Sequence, residues 1–246
     1  VLAYSKGRFP VLGAVDLPMG YTSGVVATKV ANEVLAKYNP QEFKDTEIMY
    51  LHAHGPGYIH TNKKAVHNMD DLKGLKIRAT GNSATPVKAL GATPVAQGMG
   101  DAYQSLQKGV VDGSAHPLES NKGWKLGEVL DYCIAENSVA YTTTFFVAMN
   151  KDKWASLSAD IQKTIKEINA EWMVKHGEAW DASDVAGKQF FLEKGNKILT
   201  LDSAEAEKWR KAVLPTLADY AAKLDEKGIN GKEVVDFIVN SIEKNK

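Results

Sequence analysis

The chain has 246 residues, 44% of them apolar and 24% charged, an ordinary globular balance with room for one large α/β domain or two smaller ones. Thirty basic residues offset thirty acidic ones, so the charge balance points to neither nucleic acid nor an anionic membrane surface as a partner. A single cysteine, Cys133, excludes an internal disulfide and any paired-cysteine site, and no apolar run approaches the ~20 residues of a membrane span.

The opening segment has no basic region followed by an apolar stretch, so no signal peptide is visible; an exported protein would have lost its own. Further on, His52-Ala53-His54 sets two imidazoles on one face of a strand, with His60 and His67 nearby. A metal reading of this cluster lacks an acidic or sulfur ligand close by and a third position at a recognisable spacing. The clearest organisation lies between Asp70 and Tyr141. Leu75 to Thr80 reads as a strand, Thr85-Pro86 as a helix start, and Leu90-Gly91 as its end. A second strand, Ala92 to Gln97, runs into a Gly98-Met99-Gly100 turn and a helix from Asp101 to Lys108, closed by Gly109. A third strand, Val110 to Ser114, leads to His116-Pro117. Strands alternating with short helices predict βαβ units and a parallel sheet.

Cys133 sits in the apolar run Val129 to Ala135 and reads as a buried small hydrophobe. From Ser158 to Glu193, Ile161, Ile165, Ile168, Trp172, His176, Ala179, Ser183, Ala186 and Phe190 recur at steps of three and four, the pattern of one helical face. Unbroken, such a helix spans roughly 50 Å, enough to brace two lobes. Gly177 and Gly187 are candidate kinks and Gly195 a stop. Helices from Ala204 to about Lys227 and from Lys232 to Ile242 complete the chain.

Arg78 stands at the carboxyl end of the first strand of the alternating region, where open α/β sheets bind ligands, and its planar fork suits a carboxylate. Met99 and His116 follow the next two strands, so a parallel sheet brings all three to one rim. The aromatic residues Trp124, Tyr132, Trp154, Trp172 and Trp180 either stack on a ligand or pack in the core. No GxSxG, HExxH, phosphate-binding loop or GxGxxG follows a strand.

Several ordered motifs resemble one family. They are Asp71-Leu72-Lys73-Gly74-Leu75-Lys76-Ile77-Arg78, then Ala89-Leu90-Gly91-Ala92-Thr93-Pro94-Val95, then the run from Asp101 through Lys108-Gly109-Val110-Val111-Asp112-Gly113. Gly7-Arg8-Phe9-Pro10, Leu17-Pro18 and Asn150 with Trp154-Ala155-Ser156-Leu157 fit as well. Together they resemble the solute-binding subunit of tripartite ATP-independent periplasmic (TRAP) transporters. The resemblance implies a two-lobed, periplasmic-binding-protein-like α/β fold with a long helix crossing both lobes. It implies one lobe from residues 1–55 and 144–183 and another from 56–143 and 184–246, without the amino-terminal βαβ stretch of the family.

It also implies a periplasmic protein that closes on a small organic carboxylate and passes it to membrane permease subunits, with no cofactor and no catalysis. By the same resemblance Arg78 is the carboxylate anchor, and His116 stands where members touch the ligand. Tyr58 stands where some carry a second arginine, and Met99 where many carry an aromatic residue. Thr143 lies on the crossover strand, Ser5 replaces a glutamate of some members, and Ala115 replaces another. A pocket with one cation and no acid, lined by Tyr, Met and Thr, suits a monocarboxylate with an aromatic or apolar body, since each unpaired polar group of a ligand costs ~1–3 kcal/mol there. Two other readings remain open at this level: a metal-dependent enzyme built on His52 and His54, and a ligand-binding sensor module.

Overall fold

The structure, a computed structural model, describes residues 1–5 and 7–246. Two short 3-10 turns, Leu2–Tyr4 and Leu12–Asp16, lead to helix α1 (Gly24–Tyr38). Ser23 starts this helix by accepting the Val26 N–H on its hydroxyl, and Asn39, left-handed at φ 37°, ends it. Strands β1 (Thr46–Ala53) and β2 (Gly57–Thr61) follow, then β3 (Lys76–Ala79), α2 (Ala84–Ala89), β4 (Thr93–Ala96), α3 (Met99–Gln107) and β5 (Gly113–Pro117). Helix α4 (Ser120–Gly123) and strand β6 (Tyr132–Ile134) precede β7 (Thr144–Asn150), α5 (Lys151–Ala155) and the long α6 (Ala159–Glu193). Strand β8 (Lys197–Leu199) and helices α7 (Ser203–Val213), α8 (Pro215–Asp225) and α9 (Gly231–Asn245) close the chain.

Strands β1 and β7 form an antiparallel pair from Thr46 opposite Asn150 to Ala53 opposite Thr144, with a bulge between Ile48 and Tyr50. The other six strands make one sheet in the order β4-β3-β5-β2-β6-β8. It is mixed, where the sequence pattern predicts a parallel sheet. The strands joined by α2 and α3 are parallel, while β2, which precedes that alternation, runs antiparallel to β5 and β6. Strand β5 also begins three residues later than the sequence suggests. The N–H groups of Val110 and Val111 are spent on the Ser105 carbonyl at the end of α3, so pairing starts only at Gly113. His116 therefore lies inside the strand.

The core divides in three. Leu12, Leu17, Val30, Ala31, Val34 and Leu51 form one cluster around α1 and β1. Residues alternate across the six-stranded sheet to form the other two. Ile59, Ile77, Ala79 and Ile134 face one side with Trp209, whereas Tyr58 and Cys133 face the other with Leu106 and Phe191. The arrangement is a two-lobed α/β fold. Helices α8 and α9 depart from the expected lobe division, because Leu224, Val234, Ile238 and Ile242 pack into the first cluster although 184–246 was expected on the second lobe.

Helix α6 runs unbroken over 35 residues, and the Ser158 hydroxyl caps it by accepting the Ile161 N–H. Its buried face is not the predicted one. Ile161, Ile168 and Trp172 are 46–51% exposed, whereas Gly177, Gly187 and Phe191 are buried. The two glycines do not kink the helix; they let it touch other backbone. A Cβ at Gly187 would collide with the Leu118 carbonyl. The predicted helix over Ala204 to Lys227 is two helices, because Pro215 has no N–H to continue the first and the Thr216 hydroxyl bonds the Val213 carbonyl at 2.6 Å.

Candidate functional site

Arg78 lies in β3 beside Val95 of β4 and Ser114 of β5, and only 3% of it is exposed. Its Nε–H donates to the Gln97 carbonyl at 3.0 Å, Nη1 to the Ala115 carbonyl at 3.3 Å and Nη2 to the Thr80 hydroxyl at 2.7 Å. The Thr80 hydroxyl passes its own proton to Gln97, which fixes it as an acceptor for the arginine. A guanidinium has five N–H donors, so one remains on each Nη. Among the described residues no carboxylate comes within 4.0 Å of Arg78. A buried cation held by three neutral acceptors, with N–H groups left over, has the chemistry to receive an anion.

The fork belongs to a cavity of about 420 Å³ between the lobes. Arg78, Met99, His116 and Thr143 all line it, so four of the six residues singled out from sequence meet there. Tyr58 and Ser5 do not line it. The Tyr58 side chain sits in the core and donates its hydroxyl proton to Asn137 Oδ1. Ser5 is exposed and ends the first 3-10 turn; its neighbour Tyr4 is the residue that reaches the cavity and accepts the Met99 N–H at 3.1 Å.

His116 contributes to the wall with both ring nitrogens occupied. Its ring stacks on His60 at 3.8 Å, and a single direction of proton donation satisfies the chain around them. The Ser114 hydroxyl donates to His116 Nδ1, and His116 Nε2–H donates to Asn121 Oδ1. Asn121 Nδ2–H then donates to His60 Nε2, and His60 Nδ1–H to the Tyr58 carbonyl. Burial holds His60 down at about 3 and, with the neighbouring His60, pushes His116 well below its ordinary range, so both rings are neutral at pH 7.

Sequence reasoning missed much of the remaining wall. Tyr141 precedes the crossover strand β7 and Phe145 lies in it, and Trp124 and Trp180 belong to the aromatic set that sequence could not divide between ligand and core. Glu119 is also there, which corrects the expectation of a pocket without acids. Its Oε1 accepts the Ser120 hydroxyl at 2.6 Å, and its N–H donates to Asp184 Oδ1 on α6 at 2.7 Å. Burial raises the Glu119 carboxyl and pushes Asp184 up to about 7. His54 lines the cavity too, with Nδ1–H donated to the Gly55 carbonyl at 2.6 Å. Burial lowers it to about 4, leaving a neutral ring whose Nε2 is an acceptor.

The histidines read as a metal cluster separate in the structure. His52 stacks on His176 at 3.7 Å and accepts the Trp180 indole N–H at 3.0 Å, away from the role of His54. Among the described residues no three His, Cys, Asp or Glu side chains are grouped to hold a metal ion. No helix among them is long and apolar enough to cross a membrane.

Known proteins are similar to this chain in sequence and fold. The family model described as "Bacterial extracellular solute-binding protein, family 7" matches residues 1–224. The chain is 26% identical over 219 residues to the "Outer membrane transporter protein TsaT" of Comamonas testosteroni, covering 87% of this chain and 64% of that protein. It thus spans less than two thirds of that relative. A marine metagenome TRAP solute binding protein specific for aromatic acid ligands, solved with metahydroxyphenylacetate, is 29% identical with a TM-score of 0.93, over 100% of this chain and 79% of the other. A TRAP solute binding protein from Rhodoferax ferrireducens T118, in complex with copurified benzoate, is 29% identical with a TM-score of 0.92, over 99% and 77%. With the family model matching nine-tenths of its length, the chain belongs to the bacterial extracellular solute-binding proteins of family 7, the binding subunits of TRAP transporters.

Proposed function

We propose that the protein captures an aromatic monocarboxylate in the periplasm and delivers it to a TRAP-type membrane permease. The observation that carries the reading is the Arg78 guanidinium: one buried cation with an N–H left over on each Nη and no acid partner among the described residues, lining a cavity walled by Tyr141, Phe145, Trp180 and Trp124. One carboxylate satisfies both donors and the charge, and a flat apolar body fits the remaining wall without stranding polar groups. The two aromatic-acid-binding neighbours support the same ligand class. Met99, His116 and Thr143 then shape the cavity around the ligand body.

Contacts from both lobes favour a closed, ligand-bound form, the form a permease would recognise. Calorimetry and thermal shift on the full-length protein test the reading with benzoate, succinate and a sugar acid. Benzoate at 100 times its Kd should add about 2.7 kcal/mol of stability. Succinate or the sugar acid giving the larger shift would overturn the aromatic assignment, and a shift that persists in Arg78→Ala would overturn the anchor.

A further inference from the structure

Within this aromatic-acid reading, on which the inference rests, the cavity is chemically lopsided. The charged free donors described above belong to Arg78, on the side formed by β3 and the Gln97 carbonyl, and Tyr4, which accepts the Met99 N–H, adds a neutral hydroxyl. Two acceptors stand at the junction with α6. Glu119 is tied by its N–H to Asp184, and Asp184 in turn lies against Gly55, whose carbonyl holds His54. Asp184 on α6 thus touches both the segment that carries Glu119 and the one that carries His54, and both residues line the cavity. Glu119 Oε1 is engaged by Ser120, while Oε2 has no hydrogen-bond partner among the described residues. With Nδ1–H spent on Gly55, His54 presents only a lone pair at Nε2, which also has no partner among them. The rings of Tyr141 and Trp180 meet His54 in T-shaped geometry with centroids 5.7 and 6.2 Å away, so this acceptor sits amid aromatic surface.

We propose that Glu119 and His54 form an acceptor edge that selects aromatic acids carrying a hydroxyl group remote from the carboxylate and turns away dicarboxylates. A hydroxyl donates its proton to Glu119 or His54 while the carboxylate sits on Arg78. A second carboxylate in the same place meets the Glu119 carboxylate and a lone pair on His54, with no lysine or arginine other than Arg78 lining the cavity among the described residues. An unsubstituted ring binds but leaves both acceptors without a donor. The edge thus distinguishes ligands of the same size and the same anchor by one polar substituent.

The test measures dissociation constants of the full-length protein for benzoate, the three hydroxybenzoates, isophthalate and terephthalate by calorimetry. In the unmodified protein at least one hydroxybenzoate should bind about tenfold or more tightly than benzoate, with neither dicarboxylate binding detectably. Glu119→Gln and His54→Phe, each checked for folding by circular dichroism, identify the acceptor. The benzoate-to-hydroxybenzoate ratio should collapse toward one in at least one of them, and Glu119→Gln should admit a dicarboxylate. Should Glu119→Gln fail to fold, the ratio in His54→Phe and the ligand ranking of the unmodified protein still decide. Equal binding of benzoate and every hydroxybenzoate, or a ratio unchanged in both variants, overturns the acceptor edge and leaves the aromatic reading standing. Failure of every aromatic monocarboxylate to bind overturns the aromatic reading and the edge with it.

Discussion

The guanidinium of Arg78 is positioned by a carbonyl from each neighbouring strand segment and by a hydroxyl two residues on, so its plane is fixed before any ligand arrives. Preorganisation of this kind depends on the planar fork, not on charge alone. Arg78→Lys should therefore bind benzoate about as poorly as Arg78→Ala, each losing roughly a hundredfold or more in affinity, as calorimetry can check. Trp124 is a different case: it lines the cavity yet is 48% exposed. Trp124→Ala should weaken benzoate binding by roughly tenfold while leaving the ligand-free melting temperature nearly unchanged. At this scale the place of Arg78 on the cavity wall was legible because strand ends are where α/β folds open clefts. Glu119 and His54 were not, because their placement depends on a contact with Asp184, 65 residues beyond Glu119. Tyr58 misled for a related reason: alternation in β2 turns it into the core, where Asn137 takes its hydroxyl proton.

Among the elements, α6 shows how far periodicity reaches. Its length was written in the sequence, because Ser158 and a run of helix formers act locally. Its buried side was not, because the surfaces it meets are backbone and polar. Asp181 accepts the Gly24 and Val25 N–H groups at the start of α1, and Gly187 rests on the Leu118 carbonyl. A glycine inside a helix normally gains roughly 1 kcal/mol on becoming alanine. Gly187→Ala should do the reverse and lose about 1–3 kcal/mol in urea unfolding, because the new methyl group has no space. Asp181→Ala should cost about 1 kcal/mol by the same measurement, since it strips a charged cap from α1.

Over the whole molecule, buried titratable groups pull stability in opposite directions with pH. Asp16 accepts the N–H and hydroxyl of Thr144 at 2.8 Å each, yet burial pushes it up to about 7. The folded chain thus holds a proton there between the ordinary 3.8 and about 7, where the unfolded chain has lost it, and the stability present below that window is lost as pH rises through it. His52 and His60, lowered to about 3, and His54, lowered to about 4, act oppositely: the unfolded chain takes up protons below 6.5, so stability grows as pH rises toward that value. The two sets offset one another between about pH 4 and 6.5. Asp16→Asn keeps the acceptor for Thr144 and removes one side of this balance. It should gain on the unmodified protein as pH rises from about 4 to 7, by at most about 4 kcal/mol. Denaturant curves at both pH values measure this, and a pH-independent difference would mean that native Asp16 holds no proton. The overall architecture was readable because its motifs are strung along most of the chain, but the return of α8 and α9 to the first core leaves no local signature.

The crossing of α6 over Leu118 also bears on how such a protein acquires new ligands. Position 187 holds the frame, where a Cβ would collide with the Leu118 carbonyl and the Glu119 backbone; position 119 meets that contact with its backbone and belongs to the cavity wall. Inheritance of the scaffold and drift of its chemical taste are thus assigned to different residues. A mutational scan selecting only for folded protein should preserve Gly187 and let Glu119 diversify, so that a change of diet need not pass through a loss of fold.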